Sequence, residues 1–507
     1  MADSRTKNAV RNMNFGIMSK FVTMLLPFIT RTIVIKLLGE EYLGLGTLFT
    51  SILSYLSLTE LGLSSAIVYS MYKPIAEKDY VKVSAYLNFY KKLYRLIGTI
   101  ILVIGTVLLP FIPYLIKGEA PDGTNVYILY YIYLINSVIS YFFAGYRQSL
   151  LSAHQRQDIT NKILMLVSTV VQALQIAALY FTRNFYVYAF VPIVGTIITN
   201  IANYLATRKM YKQVVCSGTI TKEERQSITK KIGGLFGTKL NSVVVHSTGT
   251  MVISAFIGLT INGRYGNYYY IMNTVCGFIM MIFSSLTAGV GNKIVTDSVE
   301  ENYKLFKKMS FLNALLVGVC CTCFICLFEP FVEIWVGKER QLGMLFVVLF
   351  TGYFFIYEIQ RTVLTFKDAA GLWYADRIRP YASMATNLVF SLVLVQFIGI
   401  YGVVTATILA FLISLPWANS VLFKNLFNRS GVSNLFAVAR YFVVTAISCA
   451  LAYYICTFCP SGVLGIGLRL IISVVVSLSL FILLFFKTEE FGYVVKMAKG
   501  ILKKIRH

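Results

Sequence analysis

Charge is what this 507-residue chain has least of. Asp, Glu, Lys and Arg make up 13% of it, where a soluble domain carries about 25%, so an ordinary water-soluble globule is excluded. No Gly-x-x-x-x-Gly-Lys-Ser/Thr phosphate loop occurs, which removes nucleotide binding by that motif. The opening MADSRTKNAVR is polar, and the apolar run behind it is long and lacks a cleavage site. A cleavable signal peptide is therefore not expected. The run Cys320, Cys321, Cys323, Cys326 has no nearby His or Asp. It predicts packing of small side chains between helices rather than a metal centre. Cys456-x-x-Cys459 falls at an expected outer helix end, and its spacing alone is too weak to predict a disulfide.

What the chain does have is apolar length. It is 57% hydrophobic, with a mean hydropathy of +0.70, and stretches of roughly 20 apolar residues recur throughout, as bilayer-spanning helices require. The expectation is an all-α, polytopic membrane protein of about fourteen spans. These are 12–37, 42–71, 85–116, 125–146, 163–182, 186–206, 234–258, 264–291, 309–328, 341–359, 381–398, 402–423, 441–458 and 464–486. They divide into a six-helix lobe (1–206), a cytoplasmic linker (207–233), a second six-helix lobe (234–428) and two further spans (429–486). A basic amphipathic tail (487–507) follows, suited to the inner leaflet. The net charge of +24 is uneven. Segments placed inside hold most of the Lys and Arg, while the outer loops are acidic through Glu40, Glu41, Glu119, Asp122, Glu329 and Glu333. This asymmetry predicts both termini in the cytoplasm. It assigns the basic excess to topology and anionic lipid, not to nucleic acid.

The two lobes repeat. Ser19-Lys20-x-x-Thr23 answers to Thr238-Lys239-x-x-Ser242, and Gly39 with Gly44 answers to Gly258 with Gly263, all at one offset. Both lobes begin on the same side, so the repeat is parallel. Arg147 and Arg361 close the fourth and tenth spans. Lys20 and Lys239 fall roughly a dozen ångströms inside apolar helices, at about 1.5 Å per residue. Buried membrane charge is costly, so a matched pair points to an internal anion site. Snorkelling of the long side chains to the inner headgroups is the competing reading.

Polar stripes accompany these cations: Lys20, Pro27 and Arg31 on span one, Asn136, Ser140 and Arg147 on span four, and Lys239, Ser242, His246, Gly249 and Thr250 on span seven. Arg31 also suits an outer interfacial anchor, and Arg147 and Arg361 suit inner topology anchors. Pro27, Pro192 and Pro416 lie within spans, as hinges or static kinks. Two acids lie within spans. Glu358 has Arg361 three residues on, a spacing for an ion pair. Glu60 either pairs with Arg31 or titrates as an ion-coupling group, and His246 either couples or simply hydrogen-bonds. Five intramembrane cations, Lys20, Arg31, Lys36, Lys239 and Arg469, face these two acids, which favours a phosphate- or carboxylate-bearing substrate over a lipophilic cation. The tyrosine clusters at 127–133 and 265–270 fit interfacial belts or sugar stacking.

The stretch from Arg31 through Lys36, Gly39, Tyr42 and Gly44, followed by Glu60, Gly62 and Leu63, resembles bacterial Wzx-type polysaccharide-export flippases of the multidrug/oligosaccharidyl-lipid/polysaccharide (MOP) superfamily. So do Arg264 to Tyr268 and Asn387 through Gly399, Tyr401 and Gly402. The resemblance covers nearly the whole chain. It implies two six-helix lobes around a central cavity, and a non-enzymatic carrier without cofactor or metal. The implied substrate is an oligosaccharide on undecaprenyl pyrophosphate. H⁺ or Na⁺ is the expected coupling ion, and membrane lipids and polysaccharide polymerase machinery the expected partners. Lys20, Arg31 and Lys239, with Arg147 and Arg361, are the candidate substrate-binding residues. Glu60 and His246 are the ion-coupling candidates. A lipid II or multidrug exporter of the same superfamily is the alternative carrier. A membrane polymerase is disfavoured because the longest expected outer loop, 329–340, holds no nucleophile set.

Overall fold

A computed structural model describes residues 2–57 and 63–505, with side chains over most of that range. The chain is all-α, 86% helical. Among the described residues ten helices are long and apolar enough to cross a bilayer, and twelve when two sharply bent pairs each count as one. It divides into two compact units, 1–263 and 264–507.

Unit 1 begins with α1 (Ala2–Leu37), α2 (Glu40–Leu56), α3 (Leu63–Ala76) and α4 (Tyr80–Val107). It continues with α5 (Val126–Phe142), α6 (Gln148–Ala153), α7 (Gln157–Thr182), α8 (Phe185–Met210) and α9 (Lys222–Phe256). Helix α10 (Leu259–Thr296) contributes its first residues. α1 packs on α7, α7 and α5 on α8, and α2 on α9. The expected second span is two helices, α2 and α3, on either side of 58–62, and Glu60 lies outside the described residues. Span three bends by 61° into a 3-10 segment, Leu109–Leu115, where Pro110 and Pro113 interrupt the ladder. Span four stops at Phe142. Ala144 takes a left-handed φ of 56°, and the chain turns by 53° into α6.

The repeat is physically expressed where α2 and α10 begin. A Cβ on Gly44 would stand 2.2 Å from the carbonyl oxygen of Leu259, and one on Gly263 would stand 2.4 Å from that of Glu40. Glu40 and Leu259 are themselves equivalent in the repeat, so the contact is reciprocal, as across a local two-fold axis. Glu41 and Thr260, the equivalent pair between them 219 residues apart, hydrogen-bond to each other, the Thr260 hydroxyl donating to Oε1 at 3.0 Å. Asn262 donates to the Gly44 carbonyl at 3.0 Å. Gly39 and Gly258 supply the positive φ, 108° and 130°, that each chain needs before its helix starts.

Unit 2 holds most of α10, then α11 (Val299–Val336), α12 (Met344–Ile359), α13 (Arg361–Ala369), α14 (Arg379–Ile398) and α15 (Ile400–Leu422). It ends with α16 (Val432–Cys456), α17 (Val463–Phe485) and α18 (Glu489–Ile505). α14 pairs with α15, and α16 and α17 pack on α11. Helix α11 is far longer than the expected span 309–328. Ser298 and Glu301 form a capping box at its start, and Gly337 ends it with φ 109°. The expected outer loop 329–340 is therefore mostly helix, with Glu329 accepting from the Tyr268 hydroxyl at 2.8 Å. The cysteine run packs as expected, with Cys326 against Ala452 and Cys456. The tail is a helix docked on α11, with Lys307 3.6 Å from Glu490 and Phe311 against Phe491.

Candidate functional site

Unit 1 carries the sequence-predicted cations on α1 and α9. Lys20 and Lys239 are both exposed. Among the described residues neither ammonium has a carboxylate or hydrogen-bond partner. Thr23 and Thr30 cap carbonyls of their own helix, at Ser19 and Leu26, and Thr30 also donates to Gln172 on α7. The Thr30–Gln172 bond ties α1 to α7. Arg31, half-buried, lies within electrostatic reach of Tyr133 on α5 and Tyr188 on α8. Lys36 is exposed at the last turn.

The span-seven stripe divides in two. Toward the C-terminal end of α9 Thr250 meets Ser51 of α2 at 2.8 Å, and Thr248 meets the Tyr55 hydroxyl at 2.6 Å, so those hydroxyls hold helices together. Lys239 and Ser242 remain exposed, and His246 is half-buried with neighbours of its own. The span-four stripe is shorter than expected. Asn136 accepts from Thr196 of α8 at 3.0 Å, but the break at Ala144 takes Arg147 off that helix face. Arg147 is buried over the Tyr204 ring at 4.6 Å and reaches the Cys216 sulfur at 4.0 Å.

Unit 2 pairs several of its buried charges, while Arg469 donates to the Cys456 and Cys459 carbonyls. Glu358 is fully buried and takes both oxygens to Arg361, at 2.7 and 3.1 Å, as the spacing predicted. Tyr357 lies under the guanidinium, and Asn313 anchors the break between α12 and α13 by donating to the Glu358 and Ile359 carbonyls. Sequence reasoning missed the next cluster. Lys367, Asp376 and Arg379 are 1%, 2% and 4% exposed. Asp376 accepts from Lys367 at 2.5 Å and from Arg379 at 2.7 Å, and Arg379 also donates to Ser414 on α15. Burial pushes the Asp376 carboxyl up, but the Arg379 bond and charge, with Lys367 behind them, outweigh it and hold it below the ordinary aspartate value. The density of charge between Lys367 and Arg379 was the available signal, but it has no helical period.

A family model described as polysaccharide biosynthesis protein matches residues 9–288, which is more than half of the chain. The chain belongs to this family. No curated protein matches it in sequence. Its fold is that of the MOP superfamily. The lipid II flippase MurJ, in an inward closed conformation, aligns at TM-score 0.67 and 14% identity, over 93% of this chain and 98% of that one. An inward-facing multidrug resistance MATE transporter aligns at 0.60 and 16%, over 82% and 99%. A MOP transporter from Pyrococcus furiosus, described as having a binding pocket of reversed polarity, aligns at 0.55 and 15%, over 82% and 95%. The family match includes α1 and α9, and thus both repeat lysines.

Proposed function

We propose that this protein is a flippase for an oligosaccharide carried on undecaprenyl pyrophosphate. It would move the repeat unit from the inner to the outer leaflet of the bacterial cytoplasmic membrane, for capsule, exopolysaccharide or O-antigen synthesis. Both termini are cytoplasmic in this reading. The observation that carries it is the pair Lys20 and Lys239: equivalent in the repeat, set in apolar helices, exposed, and without a protein counter-charge among the described residues. An ammonium in that setting is stabilised by a bound anion, and a pyrophosphate is one. Arg31 adds a third cation. Arg147 and Arg361 act by holding the inner helix breaks, since an aromatic ring and a carboxylate already engage them.

Energy comes from a gradient. A potential of 100 mV supplies about 2.3 kcal/mol per charge moved, and an inside-negative membrane favours outward movement of an anion. Return of H⁺ or Na⁺ resets the carrier, with Glu60 and His246 as the coupling groups. Transport of lipid II is the second reading, supported by the fold likeness over 93% of the chain.

Mass spectrometry of lipid-linked intermediates accumulating in a deletion strain distinguishes the two by the attached glycan. In the complemented strain, Lys20→Ala or Lys239→Ala reduces export about tenfold or more with the protein still inserted. Arginine restores part of it and glutamate none. Full export by the double alanine variant would remove the anion site and leave snorkelling.

A further inference from the structure

Helix α8 presents a feature that flipping does not use. Val187, Phe190, Val194, Ile198, Ile201 and Leu205 recur every three or four residues, and all are 41–57% exposed. They form one continuous apolar stripe down the helix. The stripe ends in a concavity of about 610 Å³ lined by Leu205, Arg208, Lys209 and Lys212. All three cations are exposed, and among the described residues none has a carboxylate within ion-pair distance. No Asp or Glu occurs in sequence between Asp158 and Glu223, and Asp158, within electrostatic reach of Tyr211, is already paired with Arg156.

We propose that this is a binding site for a doubly phosphorylated anionic phospholipid, the cardiolipin class. Its phosphates would sit among Arg208, Lys209 and Lys212, and its acyl chains would lie along the α8 stripe. In the orientation above, the concavity lies at the inner headgroup level, where anionic lipid faces basic side chains. Three uncompensated positive charges match two phosphates better than one. The stripe and the basic end are contiguous at Leu205, so head and tail are served by one helix. The site is separate from Lys20 and Lys239 and does not depend on what is flipped.

Native mass spectrometry of the purified protein, titrated with cardiolipin, phosphatidylglycerol or phosphatidylcholine, tests this. Retention should fall in that order. Each residue contributes about fivefold, from roughly 1 kcal/mol per basic group near the headgroups. Arg208→Gln, Lys209→Gln and Lys212→Gln should thus each weaken cardiolipin binding about fivefold, and the triple variant on the order of a hundredfold. Lys117→Gln, at the opposite end of unit 1 beside Ser254 of α9, should change nothing. Because the three side chains are exposed, the triple variant should keep the wild-type melting temperature. Equal retention by wild type and triple variant, or no preference for cardiolipin over phosphatidylcholine, overturns the site. So does displacement of cardiolipin by equimolar undecaprenyl pyrophosphate, which would assign the groove to the carrier lipid.

Discussion

Replacing Gly44 by alanine tests the reciprocal helix crossing directly. The new Cβ would fall 2.2 Å from the Leu259 carbonyl oxygen, where 3.4 Å is ordinary contact. The obstacle is backbone, so no rotamer change relieves it, and the starts of α2 and α10 must part by about 1 Å. Forcing such an insertion into close packing costs about 1–3 kcal/mol, and the Thr260–Glu41 and Asn262–Gly44 hydrogen bonds lengthen with it. Gly263→Ala makes the same demand from the other side, at 2.4 Å from Glu40. Because the two sites are related by the local two-fold, the separation that accommodates one largely accommodates the other. The double variant should therefore cost clearly less than the two singles added. Thermal unfolding in detergent measures this, with each single expected to lower Tm by several degrees. Gly467→Ala is the control. Nothing lies within 4 Å of its Cβ position, and alanine favours helix by up to about 1 kcal/mol over glycine. An unchanged Tm in Gly44→Ala would refute the contact, and strict additivity would refute its reciprocity.

Asp376→Asn leaves Lys367 and Arg379 buried around a neutral amide, and breaking a buried pair in this way costs about 3–5 kcal/mol. A large fall in Tm is expected, partly recovered by adding Lys367→Met. Burial lowers the His154 pKa, against a smaller opposing contribution from its bond to the Leu150 carbonyl. The neutral ring therefore favours the fold above about pH 6.5, and that stabilisation is lost as pH falls through the lowered value. The ring stacks on Tyr211, with Arg156 and Asp158 paired nearby. His154→Phe keeps the stack and should flatten Tm against pH across that window, and an unaltered profile would assign the pH response elsewhere. For topology, Glu119→Cys should react with an impermeant maleimide in intact cells and Lys424→Cys only after permeabilisation, both sites being exposed. The reverse pattern would invert the orientation.

Apolar runs mark where a helix crosses hydrocarbon, and twelve of the fourteen expected spans fall on helices long and apolar enough to cross among the described residues, counting each bent pair once, while 42–71 and 234–258 do not. Helix ends were not legible, because caps set them. Thr221 and Ser298 each begin a capping box with an acid three residues on. They start α9 and α11 about ten residues before the apolar runs expected at 234 and 309. The box is visible in the sequence, but hydropathy ignores it. The break after span four was illegible for another reason: Ala144 is left-handed without being glycine, a strain that only the surrounding packing explains. The Glu358–Arg361 pair was readable because three residues make nearly one helical turn. Lys367 and Asp376 meet only because the turn between α13 and α14 folds back, which no periodicity encodes.

The repeat marked two pairs of cations alike, and the structure separates them. Arg147 and Arg361 follow the breaks in equivalent spans, and each is spent on its own unit: one over Tyr204 beside Cys216, the other on Glu358 and Tyr357. Removing Glu358 would strand the largely buried Arg361 guanidinium. Lys20 and Lys239 sit where a protein carboxylate would be the simplest neutraliser, and none is within reach among the described residues. A side chain kept charged in an apolar helix without a fixed counter-ion is stabilised only by something that comes and goes: headgroups, cavity water or a ligand anion. Snorkelling requires that each lysine tolerate its environment independently. A shared anion requires that the two lysines fail together, so export by the two single variants and the double variant discriminates between them. If the double loses no more than the worse single, the lysines act on one ligand. If the losses multiply, each serves its own site.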